Sequence, residues 1–205
     1  MAKQAKELFT VVDIETTGLD HNTDQIIELA AIQTNLEKEV GRLHLRIKLH
    51  EGQVIPEKIT KMTDIREEDL TDGYPENLAV VLFGMFSAGS TIVAHSASFD
   101  FSFLEKFGVQ SPIFLCTKTM AKLENPDESS SLEDVCGRLG IELNGHHQAM
   151  NDVKATVEVL AELIRRLNKK EIPRIKYHNL VVHSEERPLS FVPKYTQINK
   201  RTWGS

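Results

Sequence analysis

Two acidic residues, Asp13 and Glu15, stand at the end of an apolar run at residues 8–12. Alternate residues of a β-strand point to the same side, so a strand here would place both carboxylates on one face. Charges held so close repel each other, and burial would add the loss of their hydration. Solvent exposure, a basic partner or a divalent cation such as Mg²⁺ would relieve this repulsion. The following residues offer backbone N–H groups to a phosphate or a terminal hydroxyl: Thr16, Thr17 and Gly18.

A third acid, Asp100, follows a predicted strand at residues 90–95 and lies in the first turns of a predicted helix at 98–108. On that helix an aromatic stripe with a spacing of four is interpreted as core: Phe99, Phe103 and Phe107. Asp100 is offset from this stripe, by about 100° per residue, and could face the same cleft as the first two acids. A favourable interaction with the helix dipole is the alternative explanation.

The segment "HQAMND" adds a histidine and a fourth acid, His147 and Asp152, just before and inside a predicted helix at 149–168. Within one helix this spacing of five would set the two side chains ~140° apart. His147 is therefore expected in the preceding loop, reaching back over the site, while Asp152 lies in the first turns. Histidine titrates near neutral pH and can accept a proton from water. His146 is the alternative base, and a purely structural loop histidine remains an open interpretation.

The order of elements predicts an α/β fold. Strands at 8–14, 26–34 and 41–49 come first, and they are followed by a helix at 76–86, the strand at 90–95 and helices at 98–108, 130–140 and 149–168. This order favours a mixed sheet with helices packed on its faces. Each of the four acids and the histidine falls at a strand end or a helix start. A shared site for two divalent cations explains all five together.

Composition narrows the class of protein. The chain has 205 residues, 40% of them hydrophobic and 26% charged, which suits one globular domain. The two cysteines favour a reducing, cytoplasmic setting, and no apolar stretch is long enough for a signal peptide or a membrane span. The formal net charge is -6, but residues 169–205 hold eight Lys or Arg and three Glu, which leaves -11 for residues 1–168. We therefore predict a domain at 1–168 and a basic arm at 169–205 that packs on the body or contacts the substrate.

The motifs resemble those of the DEDDh 3′–5′ exonuclease superfamily, which includes the proofreading ε subunit of bacterial DNA polymerase III. The matching segments are "VVDIETTGL" at 11–19, "AHSASFD" at 94–100 and "HQAMND" at 147–152. The resemblance covers roughly residues 7–168. It implies a ribonuclease-H-like fold with a mixed five-stranded sheet flanked by helices.

Carried over to this sequence, the resemblance implies that four acids bind two metal ions, Asp13, Glu15, Asp100 and Asp152, with His147 as the general base. Substrate contacts are implied for Thr16, Thr17, Gly18, Leu19, Thr63, Ile65, Ser96 and Phe99. Two positions depart from the family pattern: Ser96 replaces an asparagine, and Asp64 replaces the glycine between Thr63 and Ile65.

The predicted function is two-metal hydrolysis of DNA from a single-stranded or frayed 3′ end, giving nucleoside 5′-monophosphates. Mg²⁺ is the expected cation, with Mn²⁺ as an alternative. Two settings stay open, a stand-alone exonuclease and one associated with a DNA polymerase, in proofreading or repair, and no membrane contact is expected. Three other functions stay open: an RNA-trimming exonuclease with the same chemistry, a non-catalytic module that binds 3′ ends, and a phosphatase or nucleotidase that uses the same ions.

Overall fold

A mixed five-stranded sheet forms the centre of the computed structural model, which describes residues 7–183 and 189–199. Its strands are β1 Phe9–Thr16, β2 Ile26–Thr34, β3 Glu39–Arg46, β4 Thr91–Ala94 and β5 Phe114–Cys116. They are arranged in the order β3-β2-β1-β4-β5. The β1–β2 and β2–β3 pairs are antiparallel, whereas the β1–β4 and β4–β5 pairs are parallel. The predicted mixed sheet is confirmed.

The helices of the described residues are α1 Glu57–Thr63, α2 Glu76–Phe86, α3 Ala97–Leu104, α4 Thr117–Glu124, α5 Leu132–Leu139 and α6 Ala149–Lys169. Local signals in the sequence explain several boundaries. The Ser131 side chain accepts a hydrogen bond from the backbone N–H of Asp134 at the start of α5, and Gly140 ends that helix with φ 70°. In residues 7–183 and 189–199, every helix is too short or too polar to cross a lipid bilayer.

The two faces of the sheet are covered by different helices. Val11 belongs to a core cluster with α6 residues, while Val12 and Ile14 belong to a second cluster with residues of α2 and α3. Since alternate strand residues share a face, Asp13 and Glu15 lie on the Val11 side. The strand alternation therefore directs both acids toward the helix that carries Asp152.

The structure differs from the predicted elements at some edges. β1 continues to Thr16, two residues beyond the predicted end at 14, so Glu15 lies within the strand together with Asp13. β3 ends at Arg46, three residues early, because the chain turns to hydrogen-bond with Tyr74: Lys48 N–H donates to Tyr74 O at 2.9 Å. Helices α1 and α4 and strand β5 have no counterpart among the elements predicted from the sequence. The β5 strand has three residues, too few for a readable period.

The described part of the C-terminal arm packs on the body. Strand β6 Leu180–Val182 pairs in parallel with β7 Gln197–Asn199. The Ser98 hydroxyl donates to the backbone carbonyl of Phe191, and the Lys194 N–H donates to Glu105 Oε1 at 2.8 Å. These contacts connect the arm to α3 and the turn that follows it. Residues 184–188 and 200–205 of the predicted arm lie outside the described residues, and its domain boundary stays a prediction.

Candidate active site

A cleft of roughly 300 Å³ opens where β1 and β4 end, and all four predicted acids line it. Carboxylate oxygens of Asp13, Glu15 and Asp152 lie within 4.8 Å of one another. Asp100 enters the same cleft from the first turn of α3. The structure thus brings together acids from three separate parts of the chain, and their role as metal ligands remains a prediction.

The position of α6 depends on a fifth carboxylate behind the cleft. Glu28 on β2 pairs directly with Glu15 on β1 and is 1% exposed. Its Oε2 accepts the backbone N–H of Ala149, the first residue of α6, at 3.2 Å. Its Oε1 lies 2.5 Å from His44 Nε2 and forms a 3.5 Å ion pair with Arg46. Glu28 therefore anchors the helix end that carries Asp152.

Burial and mutual repulsion raise the pKa values of the acids in the cleft. The pKa of Asp13 lies well above its ordinary value because of burial and the charges of Asp100 and Glu15. Burial, followed by the charges of Asp152 and Glu28, raises the pKa of Glu15 to about 8. Burial raises the pKa of Asp100 to about 7, against the opposing effect of backbone N–H groups, including that of Ile14.

The carboxylate oxygens of these acids are suitable ligands for a divalent cation. Within the described part of the chain, no group donates a hydrogen bond to the Glu15 carboxylate, although Glu15 is 7% exposed. Hard divalent cations prefer carboxylate oxygens, and a positive charge among these groups would favour their ionised forms. A bound cation would therefore stabilise this cluster, since it would reduce the repulsion between the ionised carboxylates.

The two neighbouring histidines have different surroundings. His146 Nδ1 lies 3.0 Å from both oxygens of Asp152, and this hydrogen bond raises the pKa of His146. His147 precedes α6 with φ 66°, a conformation that is uncommon for residues other than glycine. Its ring stacks on His146 with 3.8 Å between centroids. Burial and the neighbouring His146 charge lower the pKa of His147, which favours its neutral form.

Several predicted substrate residues line the cleft. They are Thr16, Gly18, Leu19, Ser96 and Phe99. Leu19 is 80% exposed, which is unusual for a large apolar side chain at the edge of a cleft. A Cβ atom at Gly18 would lie 2.4 Å from Asp24 Oδ2, so any other residue here would require the Asp24 side chain to shift.

Three other predicted substrate residues do not place their side chains in the cleft. The Thr17 hydroxyl is 3.2 Å from Asp24 Oδ1 and accepts the Gln25 N–H at 3.1 Å. Thr63 is 2% exposed and its hydroxyl accepts the Ile65 N–H at 3.1 Å, while Ile65 packs in a small core cluster. Asp64 lies between them and adopts φ 60°, a left-handed conformation that glycine adopts more easily. This is the position at which the family pattern has a glycine.

Other residues that line the cleft were not singled out from the sequence. They are Ile59, Met62, His95, Lys118, Ser131 and Leu132. Ile59 and Met62 belong to α1, in the segment where Thr63 and Ile65 had been expected to reach the substrate. His95 was visible within "AHSASFD", but Lys118 follows the short strand β5 and had no sequence signal.

Comparisons with known proteins agree with this geometry. The family model described as exonuclease matches residues 10–160. The DNA polymerase III PolC-type protein of Bacillus cereus is 31% identical over 183 residues, covering 85% of this chain and 12% of that protein. The chain therefore spans a small part of the length of this relative.

Two solved structures share the fold. E. coli Exonuclease I in complex with a dT13 oligonucleotide has a TM-score of 0.69 at 17% identity, covering 80% of this chain and 42% of that one. The nuclease domain of 3′hExo, a DEDDh family member bound to rAMP, has a TM-score of 0.68 at 11% identity, covering 80% and 94%. The sheet order and its flanking helices are those of the ribonuclease-H-like exonuclease fold.

Proposed function

This chain belongs to the DnaQ-like 3′–5′ exonuclease family, and we propose that it hydrolyses DNA from single-stranded or frayed 3′ ends with two divalent cations. The observation that carries this proposal is the meeting of Asp13, Glu15, Asp100 and Asp152 in one cleft. The product would be a nucleoside 5′-monophosphate, released one nucleotide at a time.

The four acids would hold the cations, most readily Mg²⁺. Asp13 would be the central ligand because it lies on the middle strand of the sheet, with carboxylate oxygens of Glu15 and Asp152 within 4.8 Å. Two bound cations would stabilise charge on the attacking and leaving oxygens of the phosphodiester. The protein's own contribution is to keep the carboxylates together at the end of a rigid central strand. Glu28 contributes by fixing the start of α6 and, with it, Asp152.

His147 would be the general base that accepts a proton from the attacking water. It lines the cleft, and its lowered pKa favours the neutral ring that can accept a proton. His146 is less suited to this role because its Nδ1 is hydrogen-bonded to Asp152. That contact would instead orient the Asp152 carboxylate.

The terminal nucleoside would lie against the apolar side of the cleft. Leu19 is exposed at its edge, and Ile59, Met62 and Phe99 offer further apolar surface. Aromatic and aliphatic surfaces can bind a splayed base without reading its sequence. This arrangement favours a polymer end over a free phosphate ester as the substrate.

DNA is the proposed substrate because the curated relatives are named as DNA polymerase III PolC-type. A polymerase is the proposed partner on the same ground. The 3′hExo domain was solved with rAMP, which keeps RNA as the second candidate substrate. Two free, buried cysteines, Cys116 and Cys136, fit the reducing cytoplasm that we propose as its location.

A digestion experiment tests the proposed function. Matched DNA and RNA oligomers, labelled at the 5′ end, are incubated with Mg²⁺ or with a chelator, beside an Asp13→Ala control. We expect a ladder that shortens from the 3′ end in Mg²⁺ only, with faster turnover of DNA. Cleavage that persists in chelator would contradict the metal chemistry, and faster turnover of RNA would reverse the substrate assignment.

A further inference from the structure

Lys118 brings an ammonium group into a cleft lined by acids. Among the described residues that line the cleft, it is the only lysine or arginine, whereas four lining residues are Asp or Glu. His95, its neighbour, cannot supply positive charge: burial lowers the pKa of His95 to about 4. Both His95 nitrogens are also occupied, by Thr117 Oγ1 and by Ser130 O, each at 2.9 Å.

The backbone of Lys118 is fixed by a hydrogen bond, and its ammonium has no ionic partner among the described residues. Lys118 is the second residue of α4, and its N–H donates to the carbonyl of His95 at 3.0 Å. The side chain is half-buried. In residues 7–183 and 189–199, no carboxylate lies within ion-pair distance of Lys118. A half-buried ammonium without a carboxylate can meet an anionic ligand at little cost of rearrangement.

The position of Lys118 along the sheet edge indicates which anion it would meet. The sheet order places β1, with Asp13 and Glu15, between β2 on one side and β4 and β5 on the other. Residues of α1 lie toward β2, since the segment around it packs with Ile27 in one core cluster. Lys118 directly follows β5 at the other side. The acids therefore lie between an apolar wall and the lysine.

A nucleic-acid 3′ end laid across this edge would match that order. Its terminal base would contact the apolar wall at Leu19, Ile59 and Met62, and its scissile phosphate would lie at the acids. The next phosphate along the strand would then reach the β5 side. We propose that Lys118 binds the phosphate one nucleotide 5′ of the scissile phosphate. This inference rests on the proposed function and extends it to strand binding.

A lysine suits this role because it binds phosphate as a point charge and reads no base. The contact would therefore add affinity for any strand. A strand with at least two phosphates would gain this affinity, whereas a single phosphodiester would not.

The test compares two substrates that differ in that phosphate. One is a single-stranded oligodeoxynucleotide, and the other is the p-nitrophenyl ester of thymidine 5′-monophosphate, which has a scissile phosphate but no phosphate beyond it. The variants are Lys118→Gln and Lys118→Arg. The control is Lys38→Gln, which makes the same charge change at an exposed residue in the β2–β3 turn, at the opposite end of β1. Thermal unfolding shows whether each variant is folded.

We expect Lys118→Gln to lower kcat/KM on the oligonucleotide roughly 10-fold, as for the loss of a charged hydrogen bond. Hydrolysis of the ester, which lacks that phosphate, should fall by a clearly smaller factor. The slope of log kcat/KM against log salt on the oligonucleotide should weaken by about 0.7, the value for one phosphate contact on a single strand. Lys118→Arg should keep most of the activity, and Lys38→Gln should behave as wild type on both substrates.

Equal losses on both substrates, or no loss on either, would overturn the role of Lys118 while leaving the exonuclease assignment intact. Failure of the wild-type protein to degrade the oligonucleotide would instead overturn the proposed function, and the inference with it.

Discussion

Two carboxylates that face each other across β1 and β2 have opposite surroundings. Glu28 is compensated: His44, Arg46 and the Ala149 N–H all lie at its oxygens. Its cross-strand partner Glu15 has no hydrogen-bond donor within the described residues, and its pKa is raised to about 8. The comparison teaches that burial alone does not mark a functional acid. The informative feature is burial without compensation by the protein itself.

The two kinds of acid should respond oppositely to removal of their charge. An uncompensated acid costs stability and is retained for chemistry, whereas a compensated acid holds the fold together. Activity and stability should therefore separate the cluster of Asp13, Glu15, Asp100 and Asp152 from Glu28.

Asp13→Asn should give the largest effect on activity. Loss of the central carboxylate should lower kcat by about 1,000-fold or more, since metal ions supply several kcal/mol of transition-state stabilisation. The same change removes the free-energy cost of burying an ionisable carboxyl beside three others, so the metal-free protein should unfold at a higher temperature than wild type. Steady-state kinetics and calorimetry in chelator measure the two effects. If Asp13→Asn were less stable than wild type, Asp13 would contribute to stability as Glu28 does, and the proposed difference between the two acids would be wrong.

The pH dependence has a defined sign. A carboxyl whose pKa is raised on folding, as for Glu15 from 4.5 to about 8, binds more protons in the native state than in the unfolded one. Its contribution to stability is therefore lost as pH rises through this window. In chelator, the wild-type protein should be less stable at pH 8 than at pH 5, and Asp13→Asn should flatten this dependence because Asp13 contributes with the same sign.

Glu28→Ala should be the largest destabilising change of the two acid regions. It leaves His44, Arg46 and the Ala149 N–H without their shared acceptor, at a cost of roughly 3 kcal/mol in the free energy of unfolding. Urea unfolding measures it. A variant as stable as wild type would show that the start of α6 is held by other contacts.

The two neighbouring histidines should differ in how much activity is lost when each is replaced. His147→Asn keeps a residue that tolerates positive φ, removes the base, and should lower kcat by about 100-fold. His146→Asn is the matched control and should lose less than about 10-fold, as a residue that only orients Asp152. The reverse order of losses would assign the base to His146.

The sequence predicted what is local and missed what depends on tertiary contacts. The acids Asp13 and Glu15 could be placed on one face because strand alternation is a property of adjacent residues. The start and the end of α5 could be placed because Ser131 and Gly140 are local caps. The position of His147 before α6 followed from its spacing to Asp152.

The features that the sequence did not reveal depend on packing between distant parts of the chain. Ile65 packs in one cluster with Ile27, a residue far away in the chain, so its orientation could not be read from its own segment. Glu28 was visible as a charge within "IIELAAIQT", but its partners lie on β3 and α6. Lys118 enters the cleft only because β5 joins the sheet beside β4.

The raised pKa values of the acids in the cleft imply that these acids hold protons in the metal-free protein. The central claim is that divalent cations displace those protons. Calorimetric titration of the metal-free protein with Mn²⁺ at pH 7, in two buffers of different ionisation enthalpy, tests this directly. We predict Mn²⁺ binding with release of protons, both abolished by Asp13→Asn. Binding without proton release, or binding unchanged in Asp13→Asn, would contradict it.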